Sequence, residues 1–251
     1  MAGHSKWAKV KHYKAITDAK KGKVFSKLAK EITVAAKSGG GDPGFNPRLR
    51  TILLKARAEN MPADNIDRAI KKGTGELAGV SYEEITYEGY GPGGVALMVE
   101  CLTDNKNRTA PEIRAIFTKH GGNMAGSNAV KHLFHRKGHI LVPKEAITED
   151  DLMGLVLDAG AEDMATHESS YEITTDPQHF EAVHKAIEAK GIKPAAAEVA
   201  YLPITPMPIE DERVAAAILK FVEALEDHDD VQNVFSNFDI PEAVMERAAA
   251  A

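Results

Sequence analysis

The chain has 251 residues, 43% apolar and 27% charged, the balance of a water-soluble globular protein too long for one comfortable core, so two or three domains are expected. A single cysteine, Cys101, excludes an intramolecular disulfide framework, and no apolar run approaches the roughly 18 residues needed to span a bilayer. The net charge of −6 conceals a division: residues 1–75 hold 17 Lys/Arg against 6 Asp/Glu, whereas residues 76–251 hold 14 against 31. A basic block on an acidic remainder points to a polyanion-binding head carried by a separate body.

Residues 1–15 read as a basic arm, with Trp7 and Tyr13 set among Lys6, Lys9, Lys11 and Lys14. Aromatic rings between cations can stack on bases or sugars. A helix is expected from Asp18 to Lys37. At about 100° per residue, Lys20, Lys23, Lys27, Lys30 and Lys37 share one side, and Phe25, Leu28, Ile32 and Ala36 lie opposite. Lysines three or four apart repel by a few tenths of a kcal/mol per pair, and only Glu31 is at hand to offset them. The stripe is therefore expected to face solvent and meet a polyanion, the plain alternative being a merely solvated surface. Ser38-Gly-Gly-Gly-Asp-Pro-Gly closes this helix, and Asn46-Pro47 opens a second one built on Leu49, Ile52, Leu53 and Ala56. Arg48 and Arg50 sit in its first turn, where the helix dipole disfavours cations. A third helix, with Ile66, Ala69 and Ile70, stops at Lys71-Lys72-Gly73, where the lysines suit the helix end.

Beyond residue 75 the pattern becomes mixed. Glu84–Glu88 and Val95–Leu102 read as strands joined around Gly89-Tyr-Gly-Pro-Gly-Gly, followed by a helix over Ala110–Lys119. Val130–Phe134 and His139–Val142 read as strands, then a helix near Glu149–Asp158, strands near Met164–His167 and Tyr171–Thr174, a helix near Pro177–Lys190 and a strand over Glu198–Leu202. The order over residues 139–202 is β-α-β-β-α-β, that of a ferredoxin-like domain. Pro203, Pro206 and Pro208 form a stiff connector to a strongly patterned helix over Asp211–Glu226, a last strand at Val231–Phe235 and an alanine-rich end expected to fray. The expected architecture is multidomain α+β. Residues 1–75 form a basic three-helix domain, residues 76–137 with 204–243 a discontinuous α+β domain, and residues 138–203 a second α+β domain inserted in it.

Other constellations carry less. Gly39-Gly-Gly41 lacks the Gly-Lys-Ser/Thr ending of a phosphate loop, and Gly89-Tyr-Gly-Pro-Gly-Gly lies between strands rather than opening a helix. His132, His135 and His139 alternate poorly for one metal, and no cysteine is near. Asp104, Asn105, Asn107 and Arg108 suit a helix cap, Cys101 a buried small hydrophobe, and Glu226-Asp-His-Asp-Asp a solvated helix terminus. No nucleophile–base pair, metal cluster or cofactor loop emerges, so neither an enzyme nor a cofactor is expected.

Several motifs in order resemble the YebC family, which includes mitochondrial translational activators of cytochrome oxidase. They are Met1-Ala-Gly-His-Ser-Lys-Trp, Asp18-Ala-Lys-Lys-Gly-Lys, Gly40-Gly-Asp-Pro with Asn46-Pro-Arg-Leu-Arg, Asn60-Met-Pro-Ala-Asp-Asn-Ile, Arg68-Ala-Ile-Lys-Lys-Gly-Thr-Gly, Tyr87-Glu-Gly-Tyr-Gly-Pro-Gly-Gly, Leu102-Thr-Asp-Asn-Lys-Asn-Arg-Thr and Gly121-Gly-Asn. The resemblance implies three domains and a transcriptional or ribosome-associated role. It places nucleic-acid contacts on Lys6, Trp7, Lys9, Lys11, His12 and Lys14, then the stripe and Arg48/Arg50. Tyr13 stands where a basic residue is common, and Ser127-Asn-Ala-Val130 departs from the family's glycine-serine-valine.

The function expected is a cytoplasmic, DNA-binding transcriptional regulator acting through its basic head, with the acidic body open to a protein partner and no membrane involved. The alternative is a translation factor docked on ribosomal RNA. The expected nucleic-acid contacts are Lys6, Trp7, Lys9, Lys11, His12, Lys14, Lys20, Lys23, Lys27, Lys30, Arg48 and Arg50.

Overall fold

A computed structural model describes residues 18–250. The head is built from α1 (Asp18–Gly39), α2 (Pro47–Ala58) and α3 (Ala63–Thr74). Asn46 caps α2 by accepting from the Leu49 N–H at 3.0 Å, and its amide donates to the carbonyls of Ala35 at 2.9 Å and Gly40 at 2.8 Å. One side chain thus starts α2 and ties it to the end of α1. Where α3 crosses α1, the backbones approach so closely that a Cβ on Gly73 would collide with the Thr33 carbonyl. Leu28, Ile32, Leu49, Leu53, Ala56 and Met61 fill the space between the helices. Among the described residues, no side chain from beyond the head enters this core.

The body begins with β1 (Glu83–Tyr90) and β2 (Ala96–Thr103), an antiparallel hairpin around a 3₁₀ turn at Pro92–Gly94. Then come α4 (Lys106–Lys119) and β3 (Asn123–Met124). The chain leaves this sheet for β4 (Phe134–Pro143), α5 (Glu149–Asp158), β5 (Ala161–Thr166), β6 (Ser170–Thr175), α6 (Phe180–Ala189) and β7 (Ala196–Pro203). It returns through β8 (Met207–Pro208), α7 (Glu212–Glu226), β9 (Val231–Ser236), β10 (Phe238–Asp239) and α8 (Glu242–Ala250). The first sheet has the order β3-β1-β2-β9, and the second β5-β6-β4-β7. The second is the fully antiparallel sheet of a split βαβ unit. In the first, β9 arrives from beyond the intervening unit, so the inserted arrangement expected of the fold class is present.

Strand β2 is central and buried on both faces, which explains its unbroken apolar run. Leu97, Val99 and Cys101 pack with Ile113 and Phe117 of α4 and Ile218, Phe221 and Val222 of α7. Ala96 and Met98 face the other way, onto Val130, Phe134, Ala200 and Phe235, and join the two sheets. Burial, with the Asp230 carboxylate next, pushes the Cys101 thiol up to about 12, so it behaves as a small apolar group.

Three expectations need correction. Val130–Phe134 is not a strand: a 3₁₀ turn occupies Lys131–Leu133, and β4 starts at Phe134. The buried Glu88 carboxylate accepts from the backbone N–H groups of Asn128, Val130 and Lys131 at 2.7, 2.8 and 2.9 Å, donors that a strand would have given to a ladder. The alanine-rich end, read as a frayed tail, is helical as far as Ala250 and forms α8, whose Val244, Met245 and Ala248 seal the core under α7. The proline connector also carries sheet, with Met207–Pro208 pairing in parallel with Phe238–Asp239.

Candidate nucleic-acid interface

Lys6, Trp7, Lys9, Lys11, His12 and Lys14, together with the side chain of Lys20, lie outside the described residues. The remaining expected contacts are described, and they do not form the solvent-facing stripe anticipated. Lys23, Lys27 and Lys30 point at the C-terminal end of α7. Lys23 Nζ donates to the Asp227 carbonyl at 3.1 Å, Lys27 Nζ to the Glu226 carbonyl at 2.5 Å and Lys30 Nζ to the Asp229 carbonyl at 3.0 Å. The last carbonyls of a helix lack partners within it and carry the negative end of its dipole. The lysine stripe, unfavourable within α1, supplies cations to the end of α7.

Asp230 completes this contact. Its side chain is only 4% exposed, and it receives Lys30 Nζ at 2.8 Å, an Arg108 Nη at 2.7 Å and the Thr109 hydroxyl at 2.8 Å. Burial would raise this carboxyl. The hydrogen bonds from Lys30, Arg108 and Thr109 override that and hold it far below the usual carboxylate range. Arg108 lies in the first turn of α4, which Asn105 caps by accepting from the Asn107 and Arg108 N–H groups at 3.1 and 3.2 Å. The Asp104–Arg108 loop thus caps a helix, as expected, and also reaches across to Asp230.

Arg48 and Arg50, ill placed for the dipole of α2, are drawn to the body in the same way. Arg48 pairs with Glu84 at 2.5 Å. Arg50 meets Glu181 through two nitrogens, at 2.6 and 2.7 Å, and also donates to the Pro43 carbonyl at 3.0 Å. The Lys185 side chain, opposed by burial and aided by Arg50, lowers the Glu181 carboxyl. Lys37 donates to the Ser81 hydroxyl at 2.7 Å. Sequence reasoning singles out the cations, misses Glu84 and Glu181, and reads Glu226-Asp-His-Asp-Asp as a solvated helix terminus; that reading needs correction, because Asp230 is buried and the oxygens of this turn hold Lys23, Lys27 and Lys30. The available signal was the acidic run Glu226-Asp-His-Asp-Asp, opposite in sign to the stripe.

A cleft of about 640 Å³ remains between the head and the two sheets. Lys55 and Arg136 reach it, as do Glu31, Glu100 and Glu198. Desolvation by the cleft walls would lower the Lys55 ammonium, whose side chain is nonetheless exposed, but Glu31, Glu198, Glu59 and Glu100 outweigh it and raise the group, so it stays charged. Burial raises the Glu100 carboxyl against the opposing Asn233 amide and Arg136.

In the inserted unit His139 of β4 is buried against Glu172 of β6. Glu172 meets His139 Nε2 at 2.8 Å through one oxygen and His167 Nε2 at 2.7 Å through the other. Burial works to raise this carboxyl, but the two histidines bring it down to about 2. An unfolded glutamate titrates near 4.3, so its contribution to stability is complete above about pH 5 and lost as pH falls towards 2. Acid unfolding followed by circular dichroism should therefore steepen across this window. Glu172→Gln should flatten that dependence, and an unchanged slope would refute the role.

The described residues thus define a three-part α+β protein whose basic helical head is joined by charge to an acidic body. Residues 5–76 match the family profile described as the TACO1/YebC protein N-terminal domain, and residues 82–238 the TACO1/YebC second and third domain. The chain belongs to the TACO1/YebC family. It is 56% identical to a probable transcriptional regulatory protein of Opitutus terrae over 98% of this chain and 99% of that relative. It is 55% identical to one from Desulfotalea psychrophila over 99% of this chain and all of that relative. The crystal structure of a conserved hypothetical protein from Aquifex aeolicus superposes with a TM-score of 0.80 at 49% identity, covering 90% of this chain and 93% of that one. Among the described residues, no helix is long and apolar enough to cross a membrane.

Proposed function

We propose that the protein is a nucleic-acid-binding regulator whose basic head holds phosphates, and that its target is DNA in a transcriptional role. The observation that carries this is the concentration of 17 Lys/Arg in residues 1–75 against 6 Asp/Glu. Cations clustered in this way bind phosphates by releasing condensed counterions, with little demand on base sequence. The names of the relatives as probable transcriptional regulatory proteins support the DNA reading. Purified protein should retard duplex DNA, with affinity falling steeply as salt rises. Absence of any salt-dependent shift at near-physiological ionic strength refutes it.

One feature favours a second reading, a translation factor on ribosomal RNA. Arg48 and Arg50, the arginines in the first turn of α2, are engaged by Glu84 and Glu181 rather than presented as a row of base readers. Binding by charge alone accepts folded RNA as readily as a duplex. Sucrose-gradient sedimentation of a lysate separates the two readings: absence from every ribosomal fraction at low salt removes the RNA one.

A further inference from the structure

We infer that the head is self-masked: the acidic turn Glu226–Asp230 occupies the phosphate-binding lysines, and nucleic acid must displace the turn and lift the head off the body. This inference concerns the regulation of the head and rests on the nucleic-acid reading above. Two observations carry it.

The first is what occupies the stripe. Lys23, Lys27 and Lys30 each hold an oxygen of the same five-residue turn, and the turn adds the Asp227 and Asp230 carboxylates at 3.8 and 2.8 Å. A row of anionic and carbonyl oxygens on successive lysines of one helix is the contact that a run of phosphates would make. Both cannot be held at once.

The second is how the head is attached. Its apolar core is closed, and among the described residues no head side chain enters any of the body's apolar clusters. Among the described residues the attachments between them are ion pairs, hydrogen bonds and one cation–ring contact: the lysines on the turn, Lys30 over the Tyr82 ring at 5.7 Å, Arg48 with Glu84, Arg50 with Glu181 and Lys37 with Ser81. Two are open to water, with the side chains of Lys23 and Asp227 48% and 61% exposed and those of Arg48 and Glu84 47% and 52%, while Lys30 with Asp230, at 17% and 4%, is the buried pair that the displacing phosphates must outcompete. Exposed ion pairs are weak individually and weaken further in salt. A polyanion offering many phosphates together can exchange for them, while the separate cores leave both parts folded.

The test uses the full chain. In one variant, Asp227→Asn/Asp229→Asn, the two exposed carboxylates of the turn are neutralised. In a second, Lys23→Cys/Asp227→Cys, a short bis-maleimide tethers the stripe to the turn. The native Cys101 is 2% exposed and its thiol is pushed up to about 12, so it does not compete for the reagent. Affinity for a labelled DNA duplex and for a labelled ribosomal RNA fragment is read by anisotropy at fixed salt. Neutralising the turn should tighten binding severalfold, and the tether should weaken it at least tenfold relative to the same variant untethered. If the tethered protein binds as tightly as the untethered one, or neutralisation changes nothing, self-masking is overturned and the nucleic-acid reading stands. If wild type and both variants bind neither probe, the functional reading fails and self-masking falls with it.

Discussion

Replacing Asp230 by alanine is expected to destabilise the protein by about 3 kcal/mol, the low end of the cost of removing one partner from a buried ion pair. The low end applies because the groups left behind differ in their access to water. The Arg108 side chain is 45% exposed and can rehydrate, whereas that of Lys30 is only 17% exposed and the Thr109 hydroxyl is buried. Lys30 then keeps only the Asp229 carbonyl, at 3.0 Å, among the oxygens named for it in the turn. Asp230→Asn should cost less, since its amide oxygen still accepts from Thr109. The two variants together separate loss of charge from loss of shape. Thermal unfolding measures the effect, and limited proteolysis in the 75–82 segment reports whether the head has loosened. The node is refuted if Asp230→Ala melts with wild type and resists protease equally well.

Asp230 also marks where sequence reasoning stopped. The order of elements was legible because each is written locally. Asn46-Pro47 starts a helix, Gly89-Tyr-Gly-Pro-Gly-Gly turns a hairpin, and the alternation from residue 139 to 202 spells a split βαβ unit. The lysine stripe was legible as a helical face for the same reason. Its neighbour was not, because Lys30 and Asp230 are separated by 200 positions and periodicity carries no information across that distance. The repulsion among the lysines and the misplacement of Arg48 and Arg50 were correct signs of missing anions. Those anions were sought in a ligand, while in the structure Glu84, Glu181 and the Glu226–Asp230 turn supply them from the same chain. The Val130 turn was hidden similarly, since its three N–H groups are held by Glu88, some 40 residues earlier. The C-terminal helix was misread because alanine suits both a frayed end and a close-packed one, and only the groove under α7 decides.

Reversing the stripe, as Lys23→Glu/Lys27→Glu/Lys30→Glu, is expected to have the largest effect on binding. Each lysine lost from a phosphate contact should reduce the dependence of log affinity on log salt by about 1, so the triple variant should lose about 3. The same substitutions place carboxylates against the end of α7 and the buried Asp230, where like charges repel. The head should therefore leave the body as well as lose its ligand. It should nevertheless remain folded, because Leu28, Ile32, Leu49 and Leu53 form a core independent of the lysines. Anisotropy titrations at several salt concentrations give the slope, circular dichroism reports the helices, and protease sensitivity near residues 75–82 reports detachment. Lost binding and a detached head with retained helicity would show one surface serving both contacts in turn. If helicity collapses in step with binding, the stripe is a structural joint. If binding and its salt slope are unchanged, the phosphates are held elsewhere on the head.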